Sequence, residues 1–157
     1  MTLSVFDIFK IGIGPSSSHT VGPMIAARRF AQAIDERLGG HINAIQVELL
    51  GSLALTGLGH GTDRAVLLGL EGHQPDTLDP ADMENILERI KTTGILQLFG
   101  RQPIQFNAKR HILFNMTTSL PFHPNALRFQ ALDASGQELA QETFYSLGGG
   151  FVVSQDE

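Results

Sequence analysis

The chain has 157 residues, enough for one domain with a sizeable buried core. Its 42% hydrophobic and 17% charged residues exclude intrinsic disorder, and a net charge of −5 with no basic run argues against nucleic acid as a partner. With no cysteine, the chain can form neither a disulfide framework nor a thiolate-held zinc or iron–sulfur site.

Residues 1–10 lack the apolar core and small-residue cleavage site of a signal peptide. No apolar run approaches the length of a membrane span, so the expected compartment is the cytoplasm and no membrane partner is expected. Gly14 and Pro15 then fix a turn, and Ser16, Ser17, Ser18, His19 and Thr20 follow it. A helix is predicted from Val21, with Met24, Ile25, Ala31, Ile34 and Leu38 at helical spacing, Pro23 in the opening turn and Gly39-Gly40 as the stop.

Residues 42–50 alternate apolar and polar, which predicts a strand with one face buried. Residues 51–61 predict a glycine-rich bend or short helix, and Thr62-Asp63 opens a second helix ending near Gly72. Asp79-Pro80 opens a third, striped by Met83, Ile86, Leu87 and Ile90 as far as Gly94. Beyond it the runs 95–99, 104–106 and 111–116 are β-prone, and 127–132 with 138–145 bracket Asp133-Ala134-Ser135-Gly136 as a hairpin. A last short strand is expected after Gly148-Gly149-Gly150. The fold class expected is α+β: one domain over 1–157, a mixed or antiparallel sheet packed by about three to four helices, and a strand-rich C-terminal half.

Three polar loops could carry chemistry. The hydroxyls of Ser16, Ser17, Ser18 and Thr20 with the imidazole of His19 arrive where a helix leaves its first N–H groups unpaired, a seat for a carboxylate or phosphate. A simple N-cap in a solvated turn is the structural alternative, although one cap needs only one hydroxyl. In Gly57-Leu58-Gly59-His60-Gly61-Thr62-Asp63, His60 has glycines around it that open access to its ring. His60 suits a general base or acid, and Asp63 either caps the next helix or orients an imidazole. The bland reading is a glycine-rich turn with His60 exposed. His123 and Asn125 lie between prolines in a third loop, where an Asx-type turn is the leading reading. His41, His73 and His111 lie at element edges and read as surface residues.

Other chemistries find little support. The glycine spacing lacks the end of a dinucleotide fingerprint, no histidine pair stands at i, i+4, and no Gly-x-Ser-x-Gly elbow exists.

The runs Gly14-Pro15-Ser16-Ser17-Ser18-His19-Thr20, Gly51-Ser52-Leu53 and Gly59-His60-Gly61-Thr62-Asp63 together resemble the β region of bacterial iron–sulfur-dependent L-serine dehydratases. Ser4-Val5-Phe6-Asp7-Ile8-Phe9-Lys10, His123-Pro124-Asn125 and Tyr145-Ser146-Leu147-Gly148-Gly149-Gly150 extend the likeness, in the same order, over nearly the whole chain. The resemblance implies conversion of L-serine to pyruvate and ammonia, with a [4Fe–4S] cluster supplying Lewis acidity. In that family the cluster cysteines belong to a larger α region. This chain would therefore hold no metal, would be inactive alone, and would be the β portion of a single-chain enzyme or else a separate β subunit.

By the same resemblance, His60 is the expected α-proton base and His19 a second acid/base or carboxylate partner. Ser16, Ser17, Ser18 and Thr20 would hold the substrate carboxylate or hydroxyl. Asp63 and Asn125 would meet the ammonium or orient an imidazole. The expected partners are L-serine, the cluster-bearing α domain and further copies in a homo-oligomer. The family β region is also similar in fold to the regulatory anion-binding domain of some D-3-phosphoglycerate dehydrogenases, so a non-catalytic anion sensor is the rival function, and a dimerisation scaffold a third.

Overall fold

A computed structural model describes residues 18–156. The first helix, α1 (Val21–Leu38), buries Val21, Met24, Ala27, Phe30, Ala31 and Ile34 along one stripe. Gly39, at φ 57°, ends it in the left-handed region that a side chain resists. A short 3-10 turn (Gly39–His41) leads to β1 (Ala44–Gly51), whose Ile45, Val47 and Leu49 enter the main core.

The glycine-rich stretch resolves as helix: α2 (Ser52–His60) and α3 (Thr62–Leu70) are separated by Gly61 at φ 75°. Gly61 is the N-cap of α3, so Asp63 is not the cap that the sequence allowed it to be. It lies within the first turn, where its carboxylate still complements the positive helix end. The next helix, α4 (Pro80–Thr93), is capped by Asp79, whose carboxylate accepts the Ala81 N–H at 2.8 Å, and it ends at Gly94 with φ 68°.

Strands β2 (Ile95–Leu98) and β3 (Gln102–Gln105) form a separate antiparallel pair. The second begins two residues earlier than periodicity suggested. Pro103 is tolerated in it because each strand of a two-stranded sheet has one side free of ladder bonds. A single turn, α5 (Ala108–His111), precedes β4 (Ile112–Asn115), so His111 closes a helix instead of opening a strand. That strand stops at Asn115 because the Asn115 side-chain carbonyl accepts the N–H groups of Thr117 and Thr118, bending the chain.

The last strands are β5 (Asn125–Leu132), β6 (Glu138–Gly148) and β7 (Phe151–Ser154). The main sheet runs β4-β1-β5-β6-β7, with β4 parallel to β1 and the other pairs antiparallel, so it is mixed and the fold is α+β as expected. Its core face packs Phe30 on Phe129 at 5.2 Å and Phe129 edge-on to Phe144 at 5.8 Å. The opposite face carries a polar chain in which Glu48 accepts from Asn115 at 2.7 Å and from Arg128 at 3.0 Å.

Candidate active site

Helix α1 opens without a side-chain cap. Thr20 is its N-cap residue, yet its hydroxyl makes no capping bond, and only its carbonyl enters the ladder by accepting the Met24 N–H at 3.0 Å. Ser18 Oγ lies 2.9 Å from His19 Nδ1, so the hydroxyl and the imidazole form a local pair.

Two distant side chains grip this segment. The Thr62 hydroxyl donates to the His19 carbonyl at 2.5 Å, and the Ser146 hydroxyl donates to the Ser18 carbonyl at 2.7 Å. Both donors are fully buried, where a hydroxyl without a partner would be costly. The local sequence makes room for Thr62: a Cβ on Gly57 would stand 3.2 Å from both Thr62 Cβ and Oγ1. The β6–β7 turn also reaches this region, since a Cβ on Gly150 would lie 3.7 Å from Val21 Cγ1.

The N-termini of α1 and α3 thus meet at segment 18–20. Each carries partial positive charge from unpaired N–H groups and the helix dipole, which suits a carboxylate. Ser18, His19 and Thr20 are brought next to Thr62, two residues after His60, whose backbone closes α2. The His60 side chain lies outside the described part of the structure, as do the Gly14-Pro15 turn, Ser16 and Ser17. Asp63 follows Thr62 in the first turn of α3.

Asn125 opens β5 one residue before Ala126, which pairs with Tyr145 next to Ser146, so its backbone stands beside the residue that holds the Ser18 carbonyl. It pairs in register with Gly51, and its N–H donates to His123 Nδ1 at 3.0 Å, a local loop contact. Ser52 donates its N–H to the Pro124 carbonyl at 2.9 Å, so this loop sits at the start of α2 whereas His60 ends it. Eight residue steps along a helix separate the two ends by about 12 Å.

A cleft of about 980 Å³ lies elsewhere, among α3, α4, β3 and α5, and contains none of the expected site residues. It is lined in part by Lys91, Lys109 and His111. His111 is not the bare surface residue the sequence suggested: it packs on Phe106 at 5.1 Å, and its Nδ1 accepts the Asn107 N–H at 2.9 Å. Burial, then the Arg110 charge, hold its pKa below the ordinary value.

Sequence reasoning did not single out Thr62 and Ser146, the two side chains that hold the carbonyls of His19 and Ser18. Ser146 did leave a signal, because it follows Phe144 by two in a strand and so takes a core-facing position that an apolar residue would normally fill. The chain has no cysteine, and among the described residues no three His, Asp or Glu side chains gather as a metal site, so these residues do not fit an iron–sulfur cluster. Among the described residues no helix is long and apolar enough to cross a membrane.

Residues 4–157 match the family described as serine dehydratase beta chain. The chain is 49% identical over 157 residues to the L-serine dehydratase of Streptomyces coelicolor, covering 99% of this chain and 34% of that protein. It is 42% identical over 156 residues to L-serine dehydratase 2 of Escherichia coli and 41% identical over 155 residues to the L-serine dehydratase of Haemophilus influenzae, in each case covering 98% of this chain and 34% of the relative. The chain spans about a third of the length of these relatives. A family match over residues 4–157, together with identities above 40% to these enzymes, establishes that the chain belongs to the serine dehydratase beta chain family.

Proposed function

We propose that this chain supplies the substrate-binding and proton-transfer side of an L-serine ammonia-lyase, completed by a cluster-bearing α portion. The observation that carries this reading is the meeting of two helix N-termini at the hydroxyl- and imidazole-bearing segment 18–20. A serine carboxylate would be held there by the helix ends and by the hydroxyls of Ser16, Ser17, Ser18 and Thr20. His60 would take the α-proton, with His19 as a second acid/base or carboxylate partner and Asp63 near the ammonium.

Loss of the α-proton and of the β-hydroxyl as water leaves aminoacrylate. Its tautomer, an imine, adds water and releases ammonia, leaving pyruvate. A [4Fe–4S] cluster would supply Lewis acidity at the β-hydroxyl, and the thiolates to hold it would have to come from the α portion, since this chain has no cysteine.

The test is turnover of His60→Ala and His19→Ala in an enzyme that joins this chain to the cluster-bearing portion. Each is expected to lose roughly 10²- to 10⁴-fold in kcat, the usual contribution of a positioned acid or base. Near-normal turnover in both overturns the reading. Changed affinity for small acids at unchanged turnover would favour a regulatory anion site instead.

A further inference from the structure

We propose that Thr62 and Ser146 are positioning residues that aim the His19 side chain, an inference that rests on the reading of segment 18–20 as part of the active site. The two hydroxyls hold consecutive carbonyls, Ser146 that of Ser18 and Thr62 that of His19. These carbonyls belong to the two peptide planes on either side of the His19 Cα. Because each peptide unit is planar, fixing both planes fixes the φ and ψ of His19 and hence the direction of its Cα–Cβ bond. The Ser18 hydroxyl, 2.9 Å from Nδ1, then sets the rotation of the ring.

The helix does not do this by itself. Its ladder opens at the Thr20 carbonyl, one residue past His19. The two anchors instead come from α3 and from β6, elements that the core holds rigidly, and both hydroxyls are fully buried. Thr62 also follows Gly61 directly, so the anchor that orients His19 is tied through two peptide bonds to His60. A shift of about 1 Å in a catalytic group can cost around 100-fold in rate, so two buried hydroxyls suffice to matter.

The test measures kcat and KM in the complete enzyme, with kcat referred to the folded fraction from thermal melts followed by circular dichroism. Thr62→Val keeps the shape and removes the donor, and is expected to lower kcat about 10- to 100-fold with KM within about 3-fold. Thr62→Ser restores the donor and is expected to stay within about 3-fold of the parent, while Ser146→Ala behaves like Thr62→Val. If Thr62→Val fails to fold, Ser146→Ala decides by the same criterion. A lowered melting temperature with unchanged kcat per folded molecule, or a rise in KM alone, overturns the proposal. His19→Ala separates the two readings: if it is inactive while Thr62→Val and Ser146→Ala turn over normally, positioning fails and the site stands. If His19→Ala is fully active, the assignment of the site fails first.

Discussion

A Cβ built on Gly69 would lie 2.2 Å from the Met24 carbonyl oxygen and 2.8 Å from the Ala27 Cβ, so α1 and α3 cross with backbone against backbone. This close crossing lets both helix N-termini reach the same segment.

Gly69→Ala is the direct test of that crossing. Alanine in a helix interior is ordinarily favoured over glycine by about 1 kcal/mol. Here the clash is with backbone, which no rotamer change relieves, and overpacking of this kind costs about 1–3 kcal/mol. The variant is expected to be destabilised by about 1 kcal/mol net in urea denaturation. Unchanged or raised stability would contradict the crossing.

Gly51 and Gly94 separate steric from conformational cost. Both have positive φ, 58° and 68°, but a Cβ on Gly51 would meet the Pro124 carbonyl oxygen at 2.2 Å, whereas one on Gly94 meets nothing within 4 Å. Gly94→Ala should cost about 1–2 kcal/mol, the left-handed penalty alone. Gly51→Ala should cost clearly more, about 2–4 kcal/mol, because the loop bearing Pro124 must also move. Paired denaturation midpoints check the ordering, and equal losses would refute it.

Arg89→Met probes the link among α3, α4 and β2. The Glu71 carboxylate is buried, accepts from the Arg89 guanidinium at 2.5 Å and accepts the Gln97 N–H at 2.8 Å. Without the arginine, a buried carboxylate keeps one hydrogen bond and loses its counter-charge. A loss of about 2 kcal/mol is expected, below the range for fully buried pairs because Arg89 is partly exposed. Glu71→Gln combined with Arg89→Met should recover part of it in a double-mutant cycle.

His111 makes stability depend on pH. Burial, then the nearby Arg110 charge, lower its folded-state pKa below the ordinary 6.5. The unfolded chain therefore binds this proton more readily than the folded one. His111's contribution to stability is complete above pH 6.5 and is lost as pH falls from there through the folded-state pKa. His111→Gln should flatten that part of the stability curve, as read from urea midpoints between about pH 7.5 and 5. An unchanged slope would remove His111 as its source.

The sequence by itself determined the features written in local chemistry. The buried stripe of α1, the Asp79-Pro80 start and Gly94 stop of α4, and the hairpin turn in which Asp133 accepts the Ser135 N–H at 2.9 Å each arise from side chains and backbone a few residues apart. The same local logic marked Ser18, His19 and Thr20 as more polar groups than one cap requires. Only the tertiary structure decided that β4 runs parallel to β1, that Asn125 and His60 stand at opposite ends of α2, and that Thr62 and Ser146 hold the carbonyls flanking His19. Those two bonds span 43 and 128 residues of chain. No local propensity encodes such a contact, because a hydroxyl finds a distant carbonyl only after the packing of whole helices and strands has brought them together.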